Sequence, residues 1–194
     1  MDLTKRQIEI IGAATDLIGE KGIQNLTTKN LAAKMNFSEP ALYRHFNGKT
    51  EILKSVLVFF KDNLGESIKE IFKSKSSGLE KIEKMIEFQF AHFSNYPAIV
   101  MVIFSETSFQ YDTVLSKVVS EIIAKKRQNV VKIITAGMVD GSIRNDISAE
   151  QLTTIVMGSM RLTVLEWRLS NFEFNLIDRG GELVNSMRAL IKKQ

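Results

Sequence analysis

Apolar residues recur at helical spacing through nearly the whole chain, and no window sustains the alternation of a half-buried strand. This excludes a sheet protein and predicts an all-α fold. Ile8, Ile11, Ala14 and Ile18 give a first helix one apolar stripe. Gly22 stops it, because glycine accepts the left-handed conformation that a helix end often requires. Thr27 is placed to cap a second helix, whose buried side is Leu31 and Met35. Asn36 follows, one of the few non-glycine residues that tolerate positive φ, so the chain can turn sharply there. Ser38 then reads as a cap for a short third helix, with Glu39 favourable against the helix dipole and Pro40 in the first turn. Leu42 and Phe46 anchor that helix, and Asn47-Gly48 breaks the chain again.

From Lys49 onward the pattern predicts six longer helices. The first carries Ile52, Leu53, Val56, Leu57, Leu64 and Ile68, and ends in a polar loop at Ser74–Gly78. The next spans about Leu79 to Phe93, one runs from Pro97 to about Phe109, and one from about Asp112 to Val139. Ser148 and Gln151 have capping-box spacing at the start of a helix reaching about Ser170, and the last covers about Leu176 to Lys192. The expected organisation is therefore an N-terminal three-helix domain over 1–48 and a C-terminal six-helix domain over 49–194.

Composition removes several function classes. Cysteine is absent and there are only two histidines, which leaves no thiolate chemistry and little for a metal centre. No phosphate loop and no nucleophile–base spacing appears, so the expectation is a non-enzyme with no cofactor and no metal. The start, MDLTKRQIEIIG, has no apolar signal core, and the most apolar stretch is interrupted by Arg161, Glu166 and Arg168. A cytoplasmic protein with no membrane partner is expected. The net charge is +4, which permits a polyanionic partner without demanding one.

Two helices joined by a very short turn, residues 27–46, form a helix-turn-helix pattern whose second helix enters a major groove. Ala32 is small enough for the helices to cross closely, and Leu31, Met35, Phe37, Leu42 and Phe46 fill the space beneath. The stretch GIQNLTTKNLAAKMNFSEPALYRHFNGKTEIL resembles the signature of TetR-type transcriptional regulators. Gly22, Thr27, Thr28, Leu31, Ala32, Ser38, Leu42, Tyr43, His45, Phe46, Lys49 and Leu53 carry the likeness. Asn36 and Pro40 stand where that family often has glycine. The resemblance implies double-stranded DNA as partner, with Thr28, Tyr43 and Lys49 at phosphates and Ser38, Pro40 and His45 on the DNA face. Arg44 is the leading base reader, since its fork can hold guanine O6 and N7 together; Ala41 can meet a thymine methyl, and Glu39 either accepts from cytosine or serves the helix start.

In the resembled family the C-terminal region dimerises through its last two helices and encloses a ligand pocket. The sequence adds its own support for a homodimer: the helix from Ser148 is apolar over most of its circumference and must be covered on most sides. Gly158-Ser159 and Gly180-Gly181 are expected to allow close helix approach. Phe88, His92, Met101, Phe104, Tyr111, Met157, Arg161 and Trp167 are the expected lining of a pocket for a small apolar or amphipathic effector. For Arg161, an ion pair within the dimer competes with a ligand contact. The functional expectation is a homodimeric repressor on a palindromic operator, released by a small molecule. The alternative, from the similarity of SEPALYRHFNGKT to nucleoid-occlusion factors, is a DNA-bound factor acting on the cell-division protein FtsZ.

Overall fold

The computed structural model describes residues 3–193, apart from the side chains of residues 64, 66, 67, 106 and 107; the outermost positions of the expected domains and the Leu64 side chain lie outside the described residues. Among the described residues the chain forms ten α-helices and one short 3-10 turn. The helices are α1 (Lys5–Lys21), α2 (Thr28–Lys34), α3 (Glu39–Tyr43), α4 (Lys49–Lys73), α5 (Gly78–Asn95), α6 (Pro97–Ile103), α7 (Glu106–Phe109), α8 (Thr113–Val139), α9 (Ala149–Leu169) and α10 (Leu176–Ile191), with the 3-10 turn at Ile23–Asn25. Among the described residues extended pairing is limited to one isolated bridge, Ile143 with Lys192. No described helix is long and apolar enough to cross a membrane.

The chain divides into two compact units, Met1–Leu64 with Tyr96–Ile122, and Gly65–Asn95 with Ile123–Gln194. The first unit is larger than the 1–48 segment read from the sequence. Three short helices cannot cover one another, so the start of α4 and the α6–α8 segment supply the rest of the core. Val102, Phe109 and Leu115 join Ile10, Ile11, Ala14, Leu31, Leu42, Phe46, Ile52 and Val56 in a single buried cluster. The approach of α6 to α1 is close: a Cβ on Gly19 would lie 2.8 Å from that of Ala98. Thr4 caps α1 in a reciprocal box with Gln7. Ile8 is a correction to the expected stripe. It is 42 % exposed, and Ile10 and Leu17 are buried instead.

The helix expected over 97–109 is broken in two. Ser105 Oγ donates to the Met101 carbonyl at 2.5 Å, competing for a backbone acceptor, and Phe104 and Ser105 both leave helical geometry. Asp112 then caps α8 by accepting from the Val114 and Leu115 amides, and also from the Thr50 hydroxyl at 2.9 Å.

In the second unit α5, α8, α9 and α10 surround a core that includes Ile82, Ile86, Phe90, Ile134, Val156, Met160 and Met187. Its tightest crossing is between Gly78 and Gly137. Asp140 fixes it, accepting from Gly78 N at 2.8 Å and from Ser142 N at 2.9 Å. Gly180 packs on the Phe90 ring as expected of a close approach, whereas Gly158 and Gly181 face open space. The Arg188 guanidinium holds the buried Glu83 carboxylate with two bonds, 2.7 and 2.8 Å, tying α10 to α5. At the α9–α10 corner Asn171 and Phe172 have φ of 56° and 66°, and Trp167 Nε1 donates to Phe174 O at 2.8 Å.

Candidate nucleic-acid interface

The geometry of the α2–α3 pair follows from four local choices. Thr27 Oγ1 accepts from Asn30 N at 3.0 Å and starts α2. Phe37 N returns to Ala32 O at 2.8 Å, which requires Asn36 to sit at φ 55°. Ser38 occupies the cap position of α3 but makes no side-chain capping bond, so its hydroxyl is not used there. Gly48, at φ 133°, lets the chain leave for α4. Asn36→Val should cost about 1–2 kcal/mol, since a β-branched side chain resists positive φ, while Asn36→Gly should be near neutral. Urea unfolding of both variants, read by circular dichroism, checks this.

The second helix is shorter than the sequence implies. It ends at Tyr43, and Arg44 and His45 lie in the turn that follows, closed by His45 N to Leu42 O at 3.0 Å. Leu42 and Phe46 point into the core, which leaves the other side outward. Ser38, Pro40, Tyr43, Arg44 and Lys49 are exposed, and Thr28, Glu39, Ala41 and His45 are half-buried. All nine expected contact residues therefore keep solvent access on the same unit. Thr28 Oγ1 donates to Glu39 Oε2 at 2.8 Å, so two of them are bonded to each other. Lys49 Nζ reaches the Ile23 carbonyl at 3.4 Å.

Two supporting residues were missed by the sequence reading. Gln7 Nε2 donates to His45 O at 3.1 Å and fixes the turn after α3, while Arg6 lies 4.3 Å over the Phe37 ring. The T-x-x-Q spacing of Thr4 and Gln7 was the available signal.

The expected pocket residues are distributed over both units. Met101, Phe104 and Tyr111 belong to the first, and Phe88, His92, Met157, Arg161 and Trp167 to the second. Tyr111 departs from the expected lining, being 90 % exposed just before α8. The Trp167 ring is taken up by the α9–α10 corner, edge-on to Phe172 at 4.7 Å. Phe88 stacks on His92 with centroids 6.1 Å apart, and burial pushes the His92 imidazole below its usual value.

An outward α2–turn–α3 element on an all-helical chain defines a helix-turn-helix DNA-binding regulator. Residues 10–56 match the family described as bacterial regulatory proteins of the tetR family, and residues 60–193 match the C-terminal region of YsiA-like proteins. The chain belongs to the tetR family of transcriptional regulators. It is 23 % identical over 175 residues to the fatty acid metabolism regulator protein of Bacillus subtilis, covering 89 % of this chain and 88 % of that one. It is 25 % identical over 156 residues to the nucleoid occlusion factor SlmA of Shewanella pealeana, covering 79 % and 77 %. The crystal structure of FadR from Bacillus subtilis, in complex with stearoyl-CoA, superimposes with a TM-score of 0.79 at 20 % identity over 93 % of this chain and 96 % of that one.

Proposed function

We propose that the protein is a homodimeric repressor that binds a palindromic operator through α2 and α3 and is released by a small amphipathic effector of the fatty-acyl class. The observation that carries the reading is the outward α2–α3 face, held by Asn36 and Gln7, on a chain whose C-terminal helices leave apolar residues uncovered. Ile155, Leu162 and Leu169 on α9 are exposed, with Gly158 among them, and Ile177 and Gly181 are exposed on α10. A second copy placed on these helices covers them and supplies the second recognition element that a two-fold operator needs.

The fatty-acyl class is favoured by the relatives: one is named for fatty acid metabolism, and the FadR structure holds stearoyl-CoA. Phe88, His92, Met157 and Arg161 are the residues retained for the effector. The test is fluorescence anisotropy with duplexes taken from beside the protein's own gene, with and without a long-chain acyl-CoA. Specific binding that the acyl-CoA abolishes supports the reading; no preference for any such duplex ends it. Recruitment of FtsZ by the DNA-loaded protein would turn the assignment to nucleoid occlusion.

Arg44→Ala should cost about 1–3 kcal/mol at one base pair and flatten the preference there. Lys49→Ala should weaken all duplexes alike and reduce the salt slope by about one. Binding measured against single-base-pair variants over a salt series separates the two roles.

A further inference from the structure

The helix proposed to read DNA is too short to set its own direction. α3 has five residues, and a helix of little more than one turn has few internal bonds to hold it. Leu42 and Phe46 pin its inner side. Its two ends are held by neighbouring residues in the first turn of α1. Arg6 lies 4.3 Å over the ring of Phe37, in the turn that enters α3, and is aimed by its ion pair with Glu9 one turn on. Gln7 Nε2 donates at 3.1 Å to the carbonyl of His45, in the turn that leaves α3. All of these residues belong to one compact unit.

Position 7 is the third residue of α1, where either glutamate or glutamine completes a capping box with Thr4. Gln7 Oε1 accepts there from Thr4 N at 3.0 Å and from Thr4 Oγ1 at 3.1 Å. A carboxylate accepts equally well, and its charge suits a helix N-terminus better. An ionised carboxylate has no proton to give to His45 O, whereas a carboxamide accepts on one side and donates on the other. Glutamine is therefore the residue that caps α1 and braces α3 at once.

We propose that the first turn of α1 determines how sharply the DNA face reads sequence, with Gln7 a positioning residue that holds the His45 turn and so sets the approach of Arg44 to its base pair. This rests on the reading of Arg44 as a base reader, and it names the side chain that aims it.

The test compares Gln7→Glu, which keeps the cap and loses the brace, with Thr4→Ala, which loses the capping hydroxyl and keeps the brace. Duplexes are selected on the wild-type protein from a random library. Affinities are then read by fluorescence anisotropy against every single-base-pair variant of the selected site. Thr4→Ala should melt lower and keep the wild-type preferences. Gln7→Glu should lose about tenfold in discrimination at the base pair that Arg44→Ala flattens, and should lose nothing further there when combined with Arg44→Ala. Gln7→Met, which removes the donor without adding a charge, should show the same loss. Unchanged discrimination in both Gln7 variants, or an equal loss in Thr4→Ala, overturns the brace. If Arg44→Ala flattens no base pair, the base-reading role of Arg44 is gone, and affinity for the selected site decides. A fall of about tenfold in both Gln7 variants beside an unchanged Thr4→Ala then sustains the brace, and equal affinities overturn it. A wild-type protein that selects no duplex overturns both.

Discussion

Gly78→Ala should destabilise the protein by about 3 kcal/mol, the upper end of the cost of overpacking. A Cβ at this position would stand 2.3 Å from Gly137 Cα, 2.5 Å from Gly137 N and 2.8 Å from Ile133 O. All three are backbone atoms, so no rotamer change relieves the clash, and α5 must move away from α8. That movement also strains the bonds from Gly78 N to Asp140 Oδ2 and from Leu79 N to Ser142 Oγ. For a chain of this size the melting temperature should fall by roughly 6–12 °C. Gly12→Ala is the control, because nothing lies within 4 Å of a Cβ there. It lies within α1 and should gain about 0.5–1 kcal/mol from helix propensity. Thermal unfolding of both variants by circular dichroism decides the matter, and equal melting of Gly78→Ala and wild type would refute the close crossing.

Leu162→Arg should convert the proposed dimer into monomers and weaken operator binding by about 100-fold or more, the cost of burying an unpaired charge twice across a symmetry axis. Leu162 is 56 % exposed in the single chain, so the arginine meets no internal obstacle and the helix content should not change. Sedimentation velocity gives the oligomeric state and anisotropy the affinity. A variant that stays dimeric at micromolar concentration would place the two-fold contact elsewhere.

What was legible in the sequence was whatever a few neighbouring residues decide. Thr27 as a cap, Asn36 as a left-handed turn, Gly22 and Gly48 as breaks, and the long α8 and α9 follow from local propensity and spacing. Features set by a distant partner were not legible. Ile8 has the spacing of a core residue, but only the placement of other helices leaves it in solvent. The break at Phe104 and Ser105 has no glycine or proline beside it to announce it. Gly78 read as loop punctuation, and its purpose becomes visible only with Gly137 beneath it. The nine residues proposed to face DNA stand in the sequence as a spaced block and all keep solvent access, although the structure ends α3 before Arg44 and His45.

The bond between Thr28 and Glu39 sets a condition on how the operator is met. A threonine hydroxyl has a single proton to give. A phosphate oxygen that takes it strands the Glu39 carboxylate beside the negatively charged strand. An exocyclic amino group, on cytosine or adenine, is the kind of base-edge donor that would relieve that carboxylate in the groove. Under the proposed mode of binding, gripping the sugar-phosphate rail and reading the neighbouring letter would be one exchange of partners, and a mismatched letter would be felt as a weaker hold on the rail.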